Sequence, residues 1–345
     1  MHTADRTNGT LRPVIARYDQ RLEARVVARH ALLYGSGADE ALDRPAYVRA
    51  ASSIVRIGNR LAIVQDDANF IALLDPNARE VLAVVLPAGH QGRRQFDDLR
   101  GTKRFKLDLE ACTVIDGPAG PRLLAFGSGS TAAREHIVVV DDATGEAPLI
   151  SLIDASRLYA GLRAATAFAG SELNIEGATV VGDALRLFQR GNGAPRGALQ
   201  PVDATCDLPL AQLGDYLADQ DREPPVPANI TQYELGSVAG CRLTFTDATR
   251  APGGLLYAAS AEASPDAVSD GPVAGSALGV LAEHEPPRWA LLGDIEGNLF
   301  GGKVEGATLD GDDPYKVYVV VDSDDPTLPG ELCVVRLSGP WFTPG

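Results

Sequence analysis

The sequence predicts an all-β protein: a β-propeller of five blades in one domain, its ring closed by an N-terminal strand that completes the last blade. Three observations carry this reading. A degenerate strand–turn–strand unit recurs five times. Each recurrence leads into further short apolar strands bounded by Gly, Asp and Pro. The last unit is one strand short, and the N-terminal region offers a strand with no partner of its own.

The unit is clearest in Glu176-Gly-Ala-Thr-Val-Val-Gly-Asp-Ala-Leu-Arg-Leu-Phe-Gln189, whose first four residues recur outright at Glu305-Gly-Ala-Thr308. Matching segments begin at Ser52, Glu110 and Thr246, so the five starts are separated by 58, 66, 70 and 59 residues. In chain order, a closing strand is expected within residues 11–34, centred on Leu22–Arg29. The first unit continues into strands at Phe70–Asp75 and Val81–Val85, and the second into His136–Asp141 and Pro148–Ile153. The fourth continues into Ser276–Leu281 and Arg288–Leu292, and the fifth stops after Glu331–Leu337. Two insertions break the pattern. Leu210, Leu213 and Leu217 have helical spacing, and residues 156–169 read as a second helix capped by Ser156. A sixth blade drawn from residues 10–50 is the alternative.

Composition narrows the setting. Forty-six acidic against 31 basic residues give a net charge of −15. This disfavours a nucleic-acid surface, which needs a basic face. No apolar run approaches the ~20 residues of a membrane span. Residues 1–10 lack the apolar core of a secretion signal, and the four scattered cysteines form no Cys-x-x-Cys pair. The expected setting is therefore cytoplasmic, with reduced cysteines. Gly127-Ser-Gly-Ser130 resembles a phosphate-cradling loop in composition but lacks the Gly-x-x-x-x-Gly-Lys-[Ser/Thr] pattern, so no nucleotide cofactor is expected.

Topology places the chemistry. In an antiparallel blade the start of the first strand and the end of the second share one rim. Glu110, Glu176 and Glu305 therefore converge on the channel mouth, with Asp66, Asp108, Asn174 and Asp322 nearby. Crowded carboxylates repel one another unless a cation, a proton or a basic group is shared among them. A hard divalent ion, Ca²⁺ or Mg²⁺, bound by Glu110, Glu176 and Glu305 would resolve this. The other reading is structural, each glutamate accepting backbone N–H groups of the next blade. Asp66 and Asp322 are the candidate catalytic carboxylates. Gln65, Ser128, Gln189, Arg190, Asn192, Glu262 and Asp324 are candidates for contacting a small-molecule ligand at the mouth. Arg134 and Arg190 are candidates for holding an anionic group, and a basic cluster including Arg93, Arg94, Lys103, Arg104 and Lys106 can overhang the same face.

The segments Leu107-Asp-Leu-Glu-Ala-Cys-Thr113, Gly127-Ser-Gly-Ser-Thr131, Asn174-Ile-Glu-Gly-Ala-Thr179 and Phe188-Gln-Arg-Gly-Asn192 resemble an uncharacterised bacterial β-propeller family over roughly residues 45–340. More distantly, the chain is similar to esterase-like phytase and gluconolactonase-type propellers. That likeness implies carboxylates around the channel, calcium in several cases, and metal-assisted hydrolysis of a small phosphoester, lactone or sugar derivative. A non-catalytic ligand-binding or scaffolding propeller remains the alternative, because one fold hosts many functions.

Overall fold

A computed structural model describes residues 11–76, 80–117, 120–263, 271–282 and 285–342. The absence of a leader, read over residues 1–10, lies outside the described residues.

Five four-stranded antiparallel blades form. The first comprises Ala51–Ile57, Arg60–Gln65, Phe70–Leu74 and Val81–Val85. The second comprises Leu109–Gly117, Gly120–Gly127, His136–Asp141 and Leu149–Asp154. The third holds Ile175–Val181, Ala184–Gln189, Asp203–Pro209 and Ala228–Glu234. The fourth holds Cys241–Ala251, Gly254–Glu262, Val273–Ala282 and Arg288–Gly293. The fifth has Lys303–Leu309, Lys316–Asp322 and Glu331–Ser338, and Glu23–Ala31 supplies its fourth strand.

Both faces of most blade strands are buried, which explains apolar runs such as Val317-Tyr-Val-Val-Val321 in place of strict alternation. Five hydrophobic clusters sit one at each blade–blade interface. Between the fifth and first blades, for example, Tyr318, Val320 and Leu332 pack with Ile54, Leu61 and Ile63. The innermost strands contact one another in sequence and return from the fifth to the first, closing the ring.

The N-terminal segment does more than close the last blade. Val14–Ile15 adds a parallel strand to the third blade, and Arg17–Tyr18 adds one to the fourth. Glu23–Ala31 then pairs antiparallel with Glu331–Ser338 and touches the fourth blade in parallel register at Leu292 and Gly293. Tyr34 bridges to Val81 of the first blade. Exposed strand edges invite unwanted pairing, and this strap covers four of the five.

The expected helices form as Ser156–Ala164, Thr166–Ala169 and Leu210–Ala218. Their Leu158, Leu162, Leu213 and Leu217 join the core between the second and third blades. Ser156 is not the cap. It is the first helical residue, and its N–H donates to Asp154 Oδ1 at 2.9 Å, so the carboxylate two residues earlier takes the capping role.

Candidate functional site: the acidic channel mouth

Every innermost strand carries a β-bulge near its start. The register shifts fall between Ala51 and Ser53, Leu109 and Ala111, Ile175 and Gly177, Phe245 and Asp247, and Val304 and Gly306. The residues skipped are Ser52, Glu110, Glu176, Thr246 and Glu305, the five repeat starts. A bulged residue is released from ladder pairing and re-aimed. Four of these five, all but Thr246, line one cavity of about 300 Å³ at the channel mouth.

The next residue in each strand closes the axis below. A Cβ on Gly306 would stand 2.8 Å from Ser53 Cα and 2.9 Å from Ile54 N, and one on Gly177 would stand 3.2 Å from Ala248 N. The Glu-Gly-Ala-Thr motif thus has two jobs: its Glu faces the mouth and its Gly lets neighbouring backbones meet.

Twelve carboxylates and five basic side chains line the cavity. The buried bases answer the crowding. Lys106 Nζ lies 2.5 Å from Asp66 Oδ2 and 2.6 Å from Asp108 Oδ1, and Arg134 Nη1 lies 2.9 Å from Asp108 Oδ2. Arg190 spans Glu176, at 3.4 Å, and Glu262. Lys303 Nζ sits 2.8 Å from Glu305 Oε1, 3.6 Å from Glu262 and 3.5 Å from Asp324. Burial alone would discharge Lys106, but Asp108, Asp66 and Glu110 hold its ammonium well above the usual range. Burial resisting from the other side, Lys106 and Arg134 hold the Asp108 carboxyl low.

Other acids keep protons. Burial, reinforced by Asp66, Asp108 and Glu176, lifts the Glu110 carboxyl well above its ordinary value. Burial, with Asp324 and Asp66, does the same to Asp322. Neither carboxyl has a hydrogen bond or ion pair among the described residues. Glu176 is pushed by burial up to about 8, against the pull of Arg190. Asp67 is pushed to about 7, by burial and then by Asp66, while Arg49 opposes.

The expected residues therefore divide. Asp66, Glu110, Glu176, Arg190, Asn192, Glu262, Glu305, Asp322 and Asp324 come together around the cavity. Gln65, Gln189 and Ser128 are not among the lining residues. Gln65 accepts from Arg49 N–H and donates to Tyr34 Oη and the Phe70 carbonyl. Gln189 accepts from Asn174 N–H and donates to the Glu172 and Arg190 carbonyls. Ser128 donates to Asp108. Amides at strand ends are consumed by the loops they fasten.

Arg134 and Arg190 line the cavity while paired with carboxylates, Arg134 with Asp108 and Arg190 with Glu176 and Glu262. From the basic cluster, Lys103 and Lys106 line the cavity, whereas Arg94 donates to the Leu86 and Leu42 carbonyls. The three glutamates accept no backbone N–H of the next blade among the described residues. That stitching falls to serines: Ser52 Oγ donates to the Leu109 carbonyl at 2.5 Å and Ser260 Oγ to the Val304 carbonyl at 3.1 Å.

Asp66, Asp108 and Glu110 each offer an oxygen, and these atoms lie within 4.8 Å of one another, a group that can hold a metal ion. Glu110 is shared with the expected set, and Glu176 and Glu305 line the same cavity. The sequence reading puts Lys106 only in an overhanging basic cluster and does not assign Lys303 to the site, yet Lys106-x-Asp-x-Glu110 and Lys303-x-Glu305 have the period of two that places side chains on one face.

A ring of five blades with a polar, acid-lined mouth defines the class as a β-propeller with a candidate cation site. The chain belongs to the family of unknown function DUF6929, whose sequence profile matches residues 47–337. No curated protein matches it. Among solved structures it is similar to the glutaminyl cyclase of Myxococcus xanthus, with 8% identity, 95% of this chain and 99% of that one covered, and a TM-score of 0.47. The α-L-arabinofuranosidase of Podospora anserina matches with 11% identity, coverage of 93% and 98%, and a TM-score of 0.45. The arabinanase of Bacillus subtilis matches with 10% identity, coverage of 84% and 94%, and a TM-score of 0.38. Among the described residues, no helix is long and apolar enough to cross a membrane.

Proposed function

We propose that the channel mouth binds a small polar molecule together with a divalent cation, Ca²⁺ or Mg²⁺, and hydrolyses a phosphoester, lactone or sugar derivative. The convergence of Asp66, Asp108 and Glu110 beside a cavity of small-molecule size carries this reading. The three carboxylates would seat the cation, which polarises a carbonyl or phosphoryl oxygen when bound. Asp322, without a hydrogen bond or ion pair among the described residues and with its carboxyl held well above the usual carboxylate range by burial, suits a general acid, and Asp66 the base. Asn192, Glu262 and Asp324 line the cavity where ligand hydroxyls would be met, and Arg190 holds Glu176 and Glu262 in place. A cytoplasmic setting accords with the four unpaired cysteines.

The test is turnover of p-nitrophenyl phosphate, a simple lactone and aryl glycosides in the presence of Ca²⁺ or Mg²⁺. Asp322→Asn and Glu110→Gln are expected to lower kcat by about a hundredfold or more. Absence of turnover and of cation-dependent ligand binding would rule the reading out. A second reading, a non-catalytic ligand-binding propeller, is favoured by one observation: Lys106, Arg190 and Lys303 already neutralise most of the buried acids. Retained ligand binding without turnover in the same assays would select it.

A further inference from the structure

The ammonium of Lys106 stands on two of the three carboxylates that would seat a cation, at 2.5 Å from Asp66 Oδ2 and 2.6 Å from Asp108 Oδ1. Calcium takes carboxylate oxygens at about 2.3–2.6 Å. The ammonium thus makes the contacts that the ion would make, and two positive charges cannot share them. Lys106 is 5% exposed, and it precedes the innermost strand Leu109–Gly117, following the short turn Lys103–Phe105. Its side chain can therefore leave without breaking a ladder bond. Asp108 would not be stranded by that departure, because Arg134 remains 2.9 Å away. The mouth also has acceptor capacity that the protein's own cations do not use. Glu110 has no hydrogen bond or ion pair among the described residues, and Glu305, itself 5% exposed, has a buried Oε2 without a partner.

We infer that Lys106 is a tethered competitor for the cation seat: a divalent ion binds at Asp66, Asp108 and Glu110 only when the lysine side chain swings out. This regulates the site of the preceding section and rests on that reading. It makes the resting protein a weak cation binder whose seat is opened by whatever draws the ammonium away.

Calorimetric titration of Ca²⁺, Mg²⁺ and Tb³⁺ into wild type and Lys106→Gln tests it. Wild type is expected to bind in the millimolar range, and the variant at least about tenfold tighter, the scale on which EF-hand sites differ by ligand charge. At about 0.1 mM, Ca²⁺ should raise the Tm of Lys106→Gln and leave wild type unmoved, and the gain should vanish in Lys106→Gln/Glu110→Gln. A variant that binds no tighter than wild type overturns the competitor role while leaving the seat. Binding by neither protein at about ten millimolar ion overturns both. Should Lys106→Gln fail to fold, micromolar binding by wild type overturns the inference alone, and Lys106→Arg, which keeps the charge, is expected to bind as weakly as wild type.

Discussion

Asp247 of the fourth blade accepts a hydrogen bond from Ser53 of the first across the propeller axis, at 3.2 Å. The same carboxyl accepts from Ala307 N–H of the fifth blade at 3.0 Å and from Ala248 N–H at 2.8 Å. Ser53 Oγ in turn accepts from Cys112 N–H of the second blade at 3.2 Å. Four innermost strands thus meet at one carboxyl–hydroxyl pair. Asp247→Ala would leave these buried donors unmatched, at about 1–3 kcal/mol each. Urea unfolding should show a loss of about 3 kcal/mol, and a smaller one for Asp247→Asn. Burial holds the native carboxyl well above its usual pKa, so the neutral amide is the closer mimic.

Gly306 is the second check on the axis. An added methyl would meet the backbone of Ser53 and Ile54 and the Val320 side chain, all inside 3.0 Å. Backbone on two sides leaves little room for relief, so Gly306→Ala should cost about 1–3 kcal/mol in unfolding free energy. Gly182, at φ +61° with open space around it, sits in a hairpin turn remote from the axis. Gly182→Ala should therefore show turn strain only, near the bottom of that range.

Arg190 tests the buried charges. Its guanidinium is 4% exposed and bridges Glu176 and Glu262. Removing the guanidinium strands the buried Glu262 carboxylate, and breaking a buried pair in this way typically costs about 3–5 kcal/mol. Arg190→Met is expected to fall in that range by denaturant titration, and Glu262→Gln added to it should recover part of the loss.

Glu176 predicts a pH dependence. With a folded pKa of about 8 against about 4.3 unfolded, the native state holds the proton more tightly than the unfolded chain. The corresponding stability is complete below about pH 4 and is lost as pH rises through about 8. Glu176→Gln, which keeps a neutral side chain at every pH, should match wild type near pH 4. Near pH 9 it should exceed wild type by on the order of 5 kcal/mol. Parallel curves for the two proteins across that interval would refute the assignment.

The blade count and the closing strand were legible because both follow from local pattern. Five units each need four strands, and one unit visibly lacked its fourth. The bulges were not legible, since a register shift exists only between two paired strands. Yet their consequence was visible: a polar residue recurs at Ser52, Glu110, Glu176, Thr246 and Glu305, where strand patterning calls for an apolar one. Repulsion among the glutamates was foreseen, but its relief was assigned to a metal. Lys106 and Lys303 supply part of it, and their two-residue spacing from Asp108 and Glu305 was the available signal. Gln65 and Gln189 fasten loops, a role not separable in the sequence from ligand contact because polarity at a strand end serves equally for both. Asp247 was hidden because the partners that give it meaning, Ser53 and Ala307, lie 194 and 60 residues away.

The strand Glu23–Ala31 leaves the ribosome before any blade exists, yet its antiparallel partner Glu331–Ser338 is made about 300 residues later. At roughly 5–20 residues per second, the early strand waits some tens of seconds with its edges unsatisfied. Its sequence suits that wait: Glu23, Arg25, Arg29 and His30 alternate with or flank its apolar residues and keep it a poor template for aggregation. Completion of the ring is therefore a late, all-chain event, and a nascent chain stopped before residue 331 would display an open fifth blade as a recognisable mark of incomplete synthesis.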